Sequence, residues 1–227
     1  MINRLKILLR NWQHLIRLHI RRQPKIFVIG TNKTGTTSLH GYFQACGFLV
    51  SPQWEFEQLS DEFHQGNRSR IMELIKAYET FQDTPFSMAD EEFLDELQKR
   101  YPRAKFILSV RESTDVWYQS LVRFHSNSFF EGRTDVSWEE VKSVNYVNPG
   151  RIYRSMIRIV GDESIPPYDE STWKAFYERH NQKMRVYFHQ SPNFLEIDLS
   201  SPSAQLQLSQ FLETDPSIAI PHLNTSR

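Results

Sequence analysis

A short polar loop that carries one lysine follows an apolar stretch near the start of the chain. Ile26 to Ile29 are all apolar, which is typical of a buried parallel strand. Gly30 ends this run, and residues 31–37 are small and polar apart from Lys33. A helix is predicted over residues 38–46. A strand, a glycine-bearing loop and a helix N-terminus together predict an anion site, because the first helical N–H groups and the helix dipole face the loop.

This loop resembles a nucleotide-binding phosphate loop but departs from it in one respect. Gly30 and Gly35 fit the G-x-x-x-x-G spacing, yet Thr36 stands where such a loop has its lysine. Lys33 lies inside the loop instead, and no apolar run ending in aspartate offers a carboxylate for a metal ion. The pattern therefore predicts an anion site that works without a metal. An ordinary glycine turn is the alternative.

A second predicted strand also ends at a cation. Residues 105–110 are apolar enough to be buried, and they lead directly into Arg111 and a helix over 116–124. Asp83 follows a shorter predicted strand that ends near Gln82. Because ligands on parallel sheets bind beyond the carboxyl ends of the strands, we expect Asp83, Arg111 and the loop to meet at one edge.

Strands that alternate with helices predict an α/β fold, a parallel sheet between two helical layers with right-handed crossovers. Residues 194–198 supply a third clear strand, and residues 172–189 form the strongest predicted helix. The segment 127–171 has weak periodicity and many aromatic residues. It is predicted to be a lid or binding segment over the site, with peripheral packing of its aromatic side chains as an equal alternative.

Residues 1–24 differ in character from the rest of the chain, which is assigned as one domain over 25–227. They hold basic residues but no acid, and their leucines and isoleucines recur at helical spacing. The segment is predicted to be a basic amphipathic helix, either packed on the domain or, through residues 1–22, lying on an anionic membrane surface. Its apolar runs are too short for a signal peptide or a membrane span.

Composition limits the kinds of partner and the cellular compartment that we expect for this chain. The 227 residues include 27 basic and 27 acidic side chains, so nothing suggests nucleic-acid binding, and any anion site must come from local placement of charge. The single cysteine, Cys46, excludes an intramolecular disulfide and fits a reducing compartment. A cytoplasmic location is expected, with peripheral membrane contact if the first helix binds lipid.

Two motifs resemble those of the sulfotransferases that use 3′-phosphoadenosine 5′-phosphosulfate (PAPS). The order Lys33-Thr34-Gly35-Thr36-Thr37 after a strand is similar to their 5′-phosphosulfate loop. Arg111 at a strand end, with a serine in the next helix, is similar to their 3′-phosphate motif. Gln119 stands where that serine is expected, and Ser120 is one residue further. One extra turn residue before Trp117 would restore the register.

The end of the chain resembles a bacterial-type branch of the same family. The matching residues are Tyr177, His180, Asn181, Tyr187, Phe188, the strand 194–198, Pro221, His222 and Asn224. His180 and Asn181 are interpreted as structural hydrogen-bonding residues. The resemblance covers about residues 25–50, 80–125 and 172–224 and implies an α/β domain with a P-loop-like site.

The resemblance implies transfer of a sulfuryl group from PAPS to a hydroxyl or amine on a small-molecule or glycan acceptor. Lys33 is then the catalytic cation, and Asp83 is the general base, since it stands two residues before Pro85, where the cytosolic branch has a histidine. No metal is expected. The residues expected to bind PAPS are Asn32, Lys33, Thr34, Gly35, Thr36, Thr37, Ser38, Arg111 and Ser120.

Several alternatives remain open at this point. Asp83 could be a turn or cap residue, and Arg111 could pair with a neighbouring acid. The chain could be a nucleotide-type kinase with a deviant phosphate loop, or a catalytically silent nucleotide-binding or membrane-associated module. A magnesium requirement with ATP binding would indicate the kinase. Tight binding of the product PAP without transfer would indicate the silent module.

Overall fold

A four-stranded parallel sheet forms the centre of the protein, which a computed structural model describes over residues 23–223. The strands are β1 (Ile26–Val28), β2 (Thr80–Phe81), β3 (Lys105–Val110), β4 (Asn145–Tyr146), β5 (Asn148–Pro149) and β6 (Phe194–Asp198). The sheet order is β2-β1-β3-β6, and β4 and β5 form a separate antiparallel pair. The carboxyl ends of β1, β2 and β3 therefore share one edge, as predicted.

Helices cover both faces of the sheet. They are α1 (Thr36–Ala45), α2 (Gln53–Glu57), α3 (Ser60–His64), α4 (Ser69–Lys76), α5 (Glu91–Arg100), α6 (Thr114–Phe129), α7 (Trp138–Ser143), α8 (Arg151–Val160), α9 (Glu170–Tyr187) and α10 (Ala204–Leu212), with a 3₁₀ turn at Phe86–Met88. The strands 105–110 and 194–198 have the predicted bounds. The helix predicted over 116–124 is longer at both ends, and it begins earlier because the Ser113 side chain accepts a hydrogen bond from the Val116 N–H.

The side chains of β1 alternate between two separate cores, as a sheet covered on both faces requires. Phe27 packs between Phe81 and Phe106 on one face, with ring centroids 4.9 Å and 5.4 Å away. Ile26 and Val28 face the other core, which includes side chains of α1 and α10. The fold is therefore the α/β sandwich of three layers that the sequence predicts.

A third core lies beside the sheet and contains most of the segment 127–171. Trp138 of α7 and Met156 of α8 are buried there with Trp117 and Trp173, which belong to α6 and α9. The weak periodicity of this segment therefore hides two helices and a short strand pair. Many of its apolar residues are buried in this core, whereas Tyr146 and Val147 are exposed.

The chain between α1 and β2 is mostly helical. The region 53–78 forms three helices, and a turn at Gln58 keeps Phe56, Leu59 and Phe63 facing the same core. Val50 and Thr80 form a single parallel bridge. The basic helix predicted over 1–24 falls almost entirely on residues 1–22, outside the described residues. Within residues 23–223, no helix combines the length and apolarity needed to cross a bilayer.

Candidate active site

The loop after β1 is held against β3 by close backbone contact. A Cβ atom on Gly30 would lie 2.3 Å from the Ser109 carbonyl oxygen, so only glycine fits this position. The Thr34 hydroxyl donates to the Thr31 carbonyl (2.6 Å) and also lies 2.7 Å from the Ser109 hydroxyl. Gly35 adopts a left-handed conformation (φ 91°) and precedes α1. The loop is thus a fixed element attached to the middle of the sheet.

The start of α1 has the properties of an anion site. Its first turn contains no acidic side chain, so nothing there opposes the positive end of the helix dipole. The Thr31 hydroxyl lies in the same loop, is buried, and lacks a hydrogen-bond partner among the described residues. A buried hydroxyl of this kind normally has a partner. An anionic oxygen in the loop would supply that partner, so this arrangement fits a bound phosphosulfate.

Arg111 and Trp117 attach the loop to the end of β3 and to α6. The Arg111 Nε donates to the Lys33 carbonyl oxygen (2.7 Å), and the Arg111 backbone N–H donates to the Tyr177 hydroxyl (2.9 Å). The Trp117 Nε1 donates to the Asn32 carbonyl oxygen (2.9 Å). None of the ion pairs found between described residues involves Arg111. Its remaining N–H groups are therefore available to an anion, and pairing with a neighbouring acid is not its role here.

A cavity of about 210 Å³ opens in front of this loop. The segments after β1 and β3 line it with Thr31, Asn32, Lys33, Gly35, Thr36, Thr37 and Arg111. The rest of the lining includes Glu57, Asp83, Thr84, Phe129, Tyr146, Arg151, Ile152, Ser155, Met156, Ile159, Trp173 and Phe176. Lys33, Arg111 and Asp83, which the sequence places after three separate strands, therefore line one cavity.

Lys33 lies at the centre of the loop in a left-handed conformation (φ 68°). Its Nζ is 3.8 Å from the centroid of the Phe124 ring, so the ammonium group rests on the face of an aromatic side chain. Burial lowers the pKa of Lys33, the positive charge of Arg111 lowers it further, and Asp83 acts in the opposite direction. The partial burial of this charge strengthens its interaction with any anion in the cavity.

Asp83 follows β2 directly and also has a positive φ (58°). Its Oδ1 accepts a hydrogen bond from the Thr84 backbone N–H (2.9 Å). Burial raises the pKa of Asp83 to about 6, and the Glu57 carboxylate acts in the same direction, while Arg151 and Lys33 oppose it. A carboxylate with this pKa is a stronger base than an ordinary aspartate and is still ionised at neutral pH.

Three predicted binding residues lie outside the cavity lining. Thr34 is buried beneath the loop, and the Ser38 hydroxyl accepts a hydrogen bond from the Leu223 N–H (3.2 Å). Ser120 is half-buried at helical spacing from Trp117 and Phe124, which both contact the loop, whereas Gln119 is exposed. This placement favours Ser120 over Gln119 as the residue directed toward the loop.

Sequence reasoning missed several cavity residues. Arg151 is 7% exposed, and its Nη2 lies 3.6 Å from Glu57 Oε1, although the two residues are far apart in the chain. His125 is buried, with Nδ1 3.1 Å from the Tyr168 hydroxyl, and burial lowers the pKa of His125 to about 4. No spacing rule could have joined these positions. His180 instead donates from Nε2 to the Ile29 carbonyl oxygen (2.7 Å), the structural role expected of it.

Comparison with known proteins gives one family. A family model described as a sulfotransferase domain matches residues 25–227, which include the loop, the whole sheet and the cavity. A search of curated proteins gives no significant match. Among residues 23–223, no group of three or more His, Cys, Asp or Glu side chains is arranged to hold a metal ion.

Proposed function

The chain belongs to the sulfotransferase family, and from this premise we propose that it transfers a sulfuryl group from PAPS to a hydroxyl or amine acceptor. One observation carries the proposal. Lys33, Arg111, an unpartnered Thr31 hydroxyl and Asp83, with its raised pKa, line one cavity. Such a site can hold an anionic donor and receive a proton from an acceptor.

The donor side would hold PAPS through its two phosphate-bearing ends. Lys33, the Thr31 hydroxyl and the N–H groups of Gly35 and Thr36 would bind the 5′-phosphosulfate. Arg111 would bind the 3′-phosphate, with Ser120 as its neighbour on α6. When bound, PAPS supplies a sulfuryl group that is activated by its link to phosphate. The protein supplies placement and charge.

The transfer step needs a cation and a base at opposite ends of the reacting group. Lys33 stabilises the electron pair that remains on the bridging oxygen of PAP when the sulfur–oxygen bond breaks. Asp83 accepts the proton that the acceptor oxygen or nitrogen loses as it forms its bond to sulfur. Protons and charge therefore balance within the cavity.

The acceptor side favours a small molecule with an apolar body over a glycan. On α8, Ile152, Ser155, Met156 and Ile159 occupy one helical face, and all four line the cavity. Trp173, Phe176 and Phe129 extend this apolar wall. Sugar rings need many hydrogen-bonding partners, and unpaired polar groups are costly to bury. We therefore propose an acceptor with its reacting hydroxyl or amine at one end of an apolar ring or chain.

Two measurements test this function. Titration calorimetry with PAP, with and without EDTA, is expected to give the same affinity in both conditions. Labelled PAPS is then offered with simple phenols, apolar alcohols and amines, and monosaccharides, and label is expected only on the apolar acceptors. Strict magnesium dependence together with ATP binding would instead indicate a kinase. Tight PAP binding without transfer to any acceptor class would indicate a silent nucleotide-binding module.

A further inference from the structure

Two carboxylates and one buried arginine share the acceptor side of the cavity. Glu57 is the last residue of α2, Asp83 follows β2, and Arg151 is the first residue of α8. All three line the cavity. The side chains of Arg151 and Glu57 are 9% and 11% exposed, so both charges are largely removed from water. Charges buried this far normally have a defined partner.

The partner of Glu57 is Arg151. Arg151 Nη2 lies 3.6 Å from Glu57 Oε1, and Arg151 Nε donates to the Glu57 carbonyl oxygen (3.4 Å). The guanidinium group also lies 5.6 Å from the centroid of the Tyr146 ring, which limits its movement on another side. The Arg151 guanidinium group thus contacts both the side chain and the backbone of Glu57, the last residue of α2.

A second set of ion pairs lies outside the cavity, on the helix that carries Arg151. Arg154 Nε and Arg158 Nη2 donate to the two carboxylate oxygens of Asp61, at 2.9 Å and 2.8 Å. Asp61 belongs to α3, directly after α2, and does not line the cavity. The position of Arg151 in the cavity is set by its own contacts with Glu57 and Tyr146, so the Asp61 pairs provide a control for charge effects inside the cavity.

Asp83 therefore lies between charges from several elements. Lys33 faces it from the loop, Glu57 from α2 and Arg151 from α8. The Tyr146 hydroxyl of the short strand pair, His125 of α6 and Arg111 after β3 line the same cavity. Without Glu57, the nearby charges on Asp83 would all be positive. A carboxylate surrounded only by cations is a weak base, since its ionised form is strongly favoured.

We propose that Glu57 and Arg151 are positioning residues for Asp83, with the negative charge of Glu57 keeping Asp83 basic and Arg151 holding Glu57 in place. This inference rests on the proposed function, in which Asp83 takes the proton of the acceptor. Neither residue needs to contact the reacting atoms. The raised pKa of Asp83, with Glu57 as its main cause after burial, agrees with this geometry.

The test compares pH profiles of kcat/KM for the full chain and its variants. Activity requires ionised Asp83, so its pKa sets the acid limb of the profile. Glu57→Gln removes a repelling charge and should move the acid limb down by about one pH unit. Arg151→Met removes an attracting charge and should move it up, whereas Arg151→Lys should leave it nearly in place. The matched control is Asp61→Asn, which breaks the neighbouring ion pairs without changing charge in the cavity, and its limb should stay unchanged.

A direct titration separates this inference from the proposed function. Protein labelled with ¹³C at the aspartate carboxyl carbons is titrated by NMR, and Asp83→Asn identifies the Asp83 signal. The Asp83 midpoint should fall in Glu57→Gln and rise in Arg151→Met, with or without sulfuryl transfer. An unchanged midpoint in Glu57→Gln would overturn the positioning role. Shifted midpoints in a protein that transfers no sulfate would support that role and reject the proposed function alone.

Discussion

At the scale of single residues, charge placement decides what this site can do. Lys33 and Asp83 have opposite charges in one cavity. The Lys33 ammonium group rests on the Phe124 ring, and Asp83 accepts a hydrogen bond from the Thr84 N–H. Burial lowers the pKa of the lysine and raises that of the aspartate. The raised pKa of Asp83 suits a group that accepts a proton near neutral pH, whereas the lowered pKa of Lys33 reflects the cost of burying its charge.

Asp83→Asn should lower kcat by about 10²–10⁴-fold, because the acceptor loses its base. PAP affinity should change little, since Asp83 faces the acceptor side. The native enzyme should lose activity as the pH falls below about 6, where Asp83 becomes protonated, and the variant should lack this limb. Stopped assays over a pH series, with calorimetry for PAP, check both expectations. A variant with near-native kcat would make Asp83 a turn residue.

Arg111→Ala should weaken PAP far more than it weakens the same nucleotide lacking the 3′-phosphate. A charge-assisted contact contributes about 1.5–3 kcal/mol. Loss of the Arg111 bond to the Lys33 carbonyl also disturbs the loop, but that effect reaches both nucleotides equally. Calorimetry with the two ligands therefore isolates the 3′-phosphate contact.

The control for Arg111 is Arg123→Ala, an exposed arginine on α6 that does not line the cavity. It should leave both affinities unchanged. Ser120→Ala should repeat the selective loss more weakly than Arg111→Ala. If Gln119→Ala shows the selectivity instead, the register correction that directs Ser120 toward the loop is wrong.

At the scale of elements, α8 forms the acceptor wall through packing more than through its ion pairs. Half-exposed pairs such as those of Arg154 and Arg158 with Asp61 contribute at most about 1 kcal/mol each. Ile152 and Met156 are buried in the core beside the sheet, and burial of each contributes about 1.5–3 kcal/mol. The segment predicted as a lid is therefore a packed wall with one face directed into the cavity.

Ser155→Phe should lower kcat/KM for the acceptor by roughly tenfold or more, because a ring at this position fills space on the cavity face of α8. PAP affinity should stay near native, since the loop lies on the other side. The matched control is Ser143→Phe on the exposed surface of α7. Acceptor kinetics and calorimetry on both variants decide the matter. Equal losses in the two variants would exclude a specific role for the α8 face.

At the scale of the whole molecule, a chain without net charge builds an anion site by topology. Its 27 basic and 27 acidic residues cancel, so long-range attraction of an anionic donor is weak. The sheet order β2-β1-β3-β6 places the carboxyl ends of three adjacent strands at one edge. Asp83 follows β2, Lys33 follows β1 and Arg111 follows β3. Local placement of Lys33 and Arg111, rather than overall charge, therefore makes the cavity suitable for an anion.

Deletion of residues 1–22 should leave PAP affinity unchanged. Every residue assigned to the site lies within 31–223, and the family match begins at residue 25. Calorimetry compares the truncated chain with the full one, and flotation with anionic vesicles asks whether the basic segment binds membranes. Loss of folding on truncation, seen by circular dichroism, would show that this segment packs on the domain.

The sequence by itself determined the sheet and predicted that the loop after β1 and Arg111 would meet at one edge, where both line the cavity. Apolar runs such as 105–110 predict buried strands. In the middle of a parallel sheet, the backbone groups of such a run are hydrogen-bonded on both sides and its apolar side chains are buried on both faces. A loop such as 30–35 predicts an anion site for a local reason, since consecutive residues supply the glycines, the lysine and the helix start. These features depend on neighbours in the chain, so spacing alone reveals them.

Only the tertiary structure decided the acceptor half. Glu57 and Arg151 meet across 94 positions of chain, and α8 lines the cavity through Ser155 and Ile159, while Val160 of the same helix is buried in the core that contains Trp117. Packing between distant helices fixes which of several apolar faces is buried and which lines a cavity. No periodicity records that choice, and for this reason the residues that tune Asp83 became visible only in the folded molecule.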